Sequence, residues 1–364
     1  MRVTKLPIAC DVPDSVLQLC LQLEASAADA DARRVWPAGQ IEKLSDGGVF
    51  AWFVPKEYGG LGWSETQVLE GYLALSQSCL TTAFILTQWN AACKRILGSS
   101  NLDLKSRLLP MMASGELFAT VGISHLTTSR QHVGKPVLTA TRTEGGFLLD
   151  GFSPWVTAAP AADVYVLGAS LDDGTQLMAA VMRDAPGLKP GDGGELVGLN
   201  GSCTDQVAVE QVFIPESDVV AGPVENVMSV NSGGGAGGLQ TSMLALGLTL
   251  AAARFLNDQA EKRTDLQPVA EKISHDAGHL LGVLRDLVAE RESACNGQEL
   301  RQQANSLTLR ATQAALSAAK GAGFVASHPA GRWAKEALFF LVWSCPQPVV
   351  SANLCELAQL GDSF

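Results

Sequence analysis

A three-part α+β fold, with an N-terminal helical domain, a middle domain of antiparallel strands and a C-terminal helical domain, is what the sequence predicts. Three textures carry the α+β order. Up to about residue 116 apolar positions recur at helical spacing. From about 117 to 226 short β-rich runs are punctuated by turn signals. After the glycine run at 232–238 the helical pattern resumes to the end. At 364 residues the chain exceeds the roughly 250–300 that one core supports, so the boundaries are drawn at 1–116, 117–226 and 227–364. The composition, 47% hydrophobic and 17% charged, supplies material for a large core or a large oligomer interface.

The elements follow in order. Asp14 or Ser15 can cap a first helix in which Val16, Leu19, Leu23 and Ala27 fall near helical spacing. A loop punctuated by Pro and Gly, VPKEYGGLGWSETQ, comes after it, and Ser64 opens a new helix as a capping box with Gln67. TTAFILTQWNAACKRIL is apolar nearly all round, the mark of a helix buried in a core or an interface. In the middle part, Thr143-Glu144-Gly145-Gly146 and Asp172-Asp173-Gly174 separate Val-, Leu- and Thr-rich strands that read as antiparallel. Helices are expected at 239–262, at 268–294 with Pro268 in a first-turn position, at about 297–320 and near 331–342.

Charge and cysteine usage narrow the function. The net charge of −11 and the lack of a Lys/Arg run argue against nucleic acid as a partner. The eight cysteines form no CxxC pair and read as reduced thiols. No apolar leader is evident at the N-terminus, and no stretch reaches about 18 apolar residues without a charge or a Gly, so no membrane association is expected. A soluble cytoplasmic protein is the expectation. His275 and His279 have an i,i+4 spacing that can hold zinc, but no third ligand is evident, so no metal is assigned.

The segment GFLLDGFSPWVTAAPAADVYVLGAS (146–170) sets Trp155 and Thr157 two residues apart on one face, because strand side chains alternate. An aromatic beside a hydroxyl and a run of alanines suits a wall for a flat ring, and equally an ordinary hairpin with a buried Trp. Four further segments share an order and spacing with it: VPKEYGGLG (54–62), LLPMMASGELFAT (108–120), LVGLNGSCTDQVAVEQVFIPESDVVAG (196–222) and KGAGFVASHPAGRWAKEALFF (320–340). Together these segments resemble the acyl-CoA dehydrogenase family over nearly the whole chain. The resemblance implies a middle antiparallel β-barrel-like domain and a C-terminal four-helix bundle, with FAD bound between them, an acyl-CoA or acyl-carrier thioester as substrate, and a homodimer or homotetramer.

It also implies chemistry that the sequence only partly supports. In that family a carboxylate removes the α-proton of the thioester while the β-hydrogen leaves as hydride to the flavin. The usual Glu falls on Ser344, whose hydroxyl is too weak a base without an activating neighbour. The alternative Glu position falls at about Gly237 or Gly238. The loop expected to contact flavin falls on 123–130, where Ser124 and Ser129 keep hydroxyls but the acidic residues and glycines are gone. Arg263 keeps the basic character of an adenine-side motif. His125 and His132 lie on the flavin-facing loop, and His125 is the first candidate for a substitute base, although a solvent-facing loop histidine is the commoner case. Cys345 reads as a buried structural thiol. The expected activity is α,β-dehydrogenation of an acyl thioester. A flavin monooxygenase or oxidase on the same scaffold, or an inactive paralogue serving as an assembly subunit, are the alternatives.

Overall fold

Helices occupy both ends of the chain and a single mixed sheet the middle. The computed structural model describes residues 10–32, 35–127, 136–230 and 238–360. The first helical part holds α1 (Asp14–Ala32), α2 (Ala38–Asp46), α3 (Glu65–Ser78), α4 (Leu80–Leu97) and α5 (Leu102–Ser114). Local chemistry sets their ends. Ser64 and Gln67 form the reciprocal capping box expected at the start of α3, and the Asn101 side chain accepts from Leu104 N at the start of α5. Gly115 then ends α5 at φ +80°, a conformation that favours glycine.

The sheet comprises β1 (Ala119–Gly122), β2 (Leu138–Thr143), β3 (Gly146–Val156), β4 (Val164–Ser170), β5 (Gln176–Met182), β6 (Leu188–Pro190), β7 (Asp205–Pro215) and β8 (Val219–Val224). A short helix, α6 (Ser124–Thr127), follows β1. Both turn signals join neighbouring antiparallel strands, β2 to β3 and β4 to β5. Closure is where the expectation needs correcting. The strand order β6-β7-β3-β2-β4-β5-β8 leaves an open sheet with β6 and β8 at its edges. Two pairings are parallel, β1 with β4 and β2 with β4 at Thr139 and Ser170. Turn residues report only the hairpins they close; β1 reaches β4 across more than forty residues, where no local signal operates.

The C-terminal part holds α7 (Leu239–Ala260), α8 (Gln267–Val288), α9 (Gly297–Ala319), α10 (Pro329–Ala337) and α11 (Gln347–Leu357). Pro268 sits in the first turn of α8 as expected, and Asn296 with Glu299 caps α9. The helix α11 was not anticipated as a separate element. Its prolines at 346 and 348 read as breakers in sequence, yet a Pro in the first turn starts a helix as readily. α7, α8 and α9 pack on one another, α10 lies on α7 and α9, and α11 on α9.

By length and composition α7 could cross a membrane, but 78% of its most apolar window is buried inside the protein. Its apolarity serves the core. At its crossing with α3 the approach is so close that a Cβ on Gly247 would lie 2.4 Å from Ser76 Cβ. Glu70 of α3, itself buried, accepts from Arg285 of α8 at 2.7 and 3.0 Å, a two-pronged pair joining the first helices to the last.

Candidate active site

Where the sheet meets the two helical parts they enclose a cleft of about 1490 Å³. One side is the sheet end, with Val121, Ser124, Trp155, Thr157 and the segment 196–204. The other is helical, with α4, the start of α7, the end of α8 and residues 335–344.

The sheet wall is built from polar groups that bond one another. Thr157 Oγ1 lies 3.0 Å from Thr204 Oγ1, which lies 2.9 Å from Ser202 Oγ. Thr120 Oγ1 donates to Thr157 O at 2.8 Å, and Ala158 N donates to Ser202 O at 2.9 Å. Trp155 stands differently from the sequence expectation. β3 shifts register between Ser153 and Val156, and Trp155 takes φ +57°. This bulge, and not regular alternation, brings Trp155 and Thr157 to the same cleft. The indole stays 60% exposed on the rim while Thr157 is buried. Ser124 Oγ donates to Pro154 O at 3.0 Å, tying the segment after β1 to the bulge.

The helical wall has an aromatic floor. Phe339 and Trp343 stack with centroids 5.1 Å apart, and Phe84 of α4 meets both rings edge-on at 4.7 and 5.1 Å. Ser344 lines the cleft immediately after them, at φ +48°. Beneath this turn lies Arg301 of α9, almost wholly buried. It donates to Asn305 Oδ1 at 2.9 Å and to Trp343 O at 3.0 Å, while Asn305 Nδ2 donates to Phe340 O at 2.9 Å. Burial lowers the Arg301 pKa to about 10, and Nη1 has no hydrogen-bond partner among the described residues. Cys345 points inward beside this guanidinium, 3.7 Å from Nη2, and burial raises its thiol pKa. Arg301 and Asn305 escape sequence reading because i,i+4 polar residues on a helix read as a solvated face.

The remaining candidates lie elsewhere. His125 does not line the cleft: Nε2 is 2.8 Å from Gly168 O, so it carries the proton, and burial lowers the imidazole pKa. Arg263 donates to Ala318 O at 2.8 Å and pairs with Asp265 at 3.4 Å, beyond the far end of α7. Since α7 starts at the cleft and its 22 residues span about 33 Å, Arg263 stands roughly a helix length away. Ser129 and His132 fall outside the described residues, as does Gly237; Gly238 lines the cleft. His279 lines a second cavity, of about 1200 Å³, between α8, α9 and α11.

Backbone strain marks the cleft independently. Nine described residues other than glycine have positive φ, and four of them (Trp155, Leu199, Glu290 and Ser344) line it. Such conformations persist where the surroundings over-determine them, and they concentrate at functional sites.

Comparison with known proteins agrees with this architecture. Residues 17–116 match the family model for the acyl-CoA dehydrogenase N-terminal domain. Benzylmalonyl-CoA dehydrogenase of Aromatoleum aromaticum is 25% identical over 252 residues, 64% of this chain and 62% of that protein, so the match spans less than two thirds of the relative's length. The structure of butyryl-CoA dehydrogenase from Megasphaera elsdenii superposes with a TM-score of 0.82 at 16% identity, covering 96% of this chain and 98% of that one. A structure solved with FMN and a dTDP-linked sugar superposes with a TM-score of 0.75 at 21% identity, covering 96% of each chain.

Proposed function

We propose, for a chain that belongs to an acyl-CoA dehydrogenase-like family, that the cleft binds a flavin, FAD, against its sheet wall and an acyl thioester against its helical wall. The observation that carries this reading is the convergence of three distant stretches, at Ser124, at Trp155 and Thr157, and at Ser344, on one largely apolar cavity. The wall fits a flavin ring. An indole left 60% exposed at a cleft rim is a surface for a planar partner to cover. The hydroxyls of Ser124 and Thr157, each already in one hydrogen bond, retain capacity for another.

When bound, the flavin supplies an acceptor for a hydride from the acyl β-carbon. The protein's own residues do the rest. Phe84, Phe339 and Trp343 give the acyl group an apolar surface and keep water from it. Lys335, also lining the cleft, brings positive charge to the phosphate-bearing carrier of a thioester. Ser344 stands where the family's base would be and is a poor substitute for it. The protein works as a homodimer or homotetramer, and Arg263, a helix length from the cleft of its own chain, would serve the adenine end of a flavin in a neighbouring copy.

The test is the absorption spectrum of the purified protein before and after adding acyl-CoA. A bound flavin whose spectrum bleaches with acyl-CoA supports dehydrogenation. A bound flavin that is indifferent to acyl-CoA but consumes oxygen once reduced points instead to an oxidase or monooxygenase. A colourless protein that takes up no flavin overturns the reading and leaves an assembly subunit.

A further inference from the structure

We propose that Glu290 supplies the carboxylate base that both family positions lack. The inference rests on the functional reading above. Among the described residues lining the cleft the carboxylates are Glu65 and Glu290. Glu65 is paired with Lys94 at 3.3 Å, whereas no described residue engages the Glu290 carboxylate.

Position strengthens the assignment. Glu290 follows the end of α8 and lines the same cleft wall as Gly238 and Leu239 at the start of α7. That start is where the alternative family base would stand, and here it is glycine. The start of α9 closes on it: a Cβ at Gly297 would lie 3.5 Å from Leu239 Cδ2. A carboxylate lost from one helix start is thus available from the neighbouring helix end.

The backbone points the same way. α8 ends in a Schellman motif, with Arg291 N donating to Asp286 O at 2.8 Å and Glu290 N to Leu287 O at 3.2 Å. The residue at its left-handed position is ordinarily glycine, and here it is Glu290 at φ +53°. Arg291 turns away, pairing with Asp286 at 2.7 Å, and does not neutralise Glu290. Glu290 is exposed, so its carboxylate is open to a ligand entering the cleft, and it occupies a backbone conformation that glycine would take without strain.

The step is redox-neutral. The Glu290 carboxylate takes the proton from the α-carbon; the Cα–H bond breaks, an O–H bond forms, and the electron pair passes into the thioester enolate. Reprotonation from deuterated solvent then labels the α-carbon without an oxidant.

The experiment is α-hydrogen exchange in deuterium oxide, followed by mass spectrometry, with butyryl-, octanoyl- and phenylpropionyl-CoA as probes. Wild type should label at least one of them. Glu290→Gln should slow labelling ~10²–10⁴-fold, and Glu290→Asp should recover part of it. Glu290→Gly should abolish labelling while raising the midpoint of thermal unfolding, a pair of opposite signs that a merely structural residue would not give. Labelling by Glu290→Gln at the wild-type rate, or no labelling of any probe by a wild type that binds flavin and thioester, overturns the inference alone. A protein that binds neither overturns the functional reading as well.

Discussion

The two walls of the cleft hold their shape by different means. On the sheet wall Thr157, Thr204 and Ser202 bond one another and the bulge at Trp155 is tied through Pro154 to Ser124, so polar groups close on themselves. On the helical wall the turn carrying Trp343 and Ser344 hangs from Arg301, a buried cation with no carboxylate among its described partners. The sheet wall keeps Trp155, Thr157 and the Ser124 hydroxyl among the residues that the family resemblance assigns to flavin contact. On the helical wall the positions that the resemblance assigns to a base fall on Ser344 and on a glycine at the start of α7, and Glu290 lines its edge at φ +53°. On the proposed reading, binding and proton transfer would reside in separately built parts, so that one could change while the other stays.

The comparison can be broken most directly by moving the base. In a Glu290→Gln background, Ser344→Glu should restore α-hydrogen exchange by ~10²-fold or more, the scale of general-base catalysis. Failure to restore it, with flavin still bound, would mean that Ser344 does not face the α-carbon. The next effect is on stability. Arg301→Met keeps much of the side-chain volume but leaves Trp343 O and Asn305 without a donor, and each abandoned buried group costs about 1–3 kcal/mol. Unfolding in denaturant should show roughly that loss. Flavin affinity should change far less, because the sheet wall does not lean on Arg301; equal losses in both would show the walls to be coupled.

Trp155→Ala sharpens the other side. A stacked ring contributes on the order of 1 kcal/mol beyond its buried area, so the flavin Kd should rise about fivefold, with the unfolding midpoint little changed for a side chain already 60% exposed. Unaltered flavin affinity would move the ring away from this rim. The smallest effect concerns His125. Its folded-state pKa is lowered by burial from the ordinary 6.5, so the unfolded chain takes up a proton first as the pH falls. Stability from the neutral imidazole is complete above that value and declines as the pH falls below it toward the lowered pKa. His125→Gln should flatten that part of the profile, measured as denaturant midpoints between pH 8 and pH 5, without altering α-hydrogen exchange. A change in exchange would bring His125 into the chemistry.

Much of the fold was legible along the chain because its signals are local. The capping box of Ser64 and Gln67, Pro268 in the first turn of α8, the turns before Gly146 and at Asp173, and the apolar periodicity of α4 and α7 each operate within one or two turns of backbone. The likeness to acyl-CoA dehydrogenases likewise lay in short segments, and it led to Ser344 and Trp155 before any geometry was known. The same likeness assigned the two familiar base positions to Ser344 and to about Gly237 or Gly238, none of them a carboxylate. Tertiary structure decided what depends on distant partners: an open sheet joined by parallel pairings, a bulge that brings Trp155 and Thr157 to one cleft, and His125 held against Gly168 away from it. It also placed Arg301 under the aromatic turn and Glu290 on the same cleft as Gly238. Spacing reports which residues share a face of one element. Which faces of two elements meet is set by packing between residues far apart in the chain, and the placement of a charge in a cleft is a property of that packing.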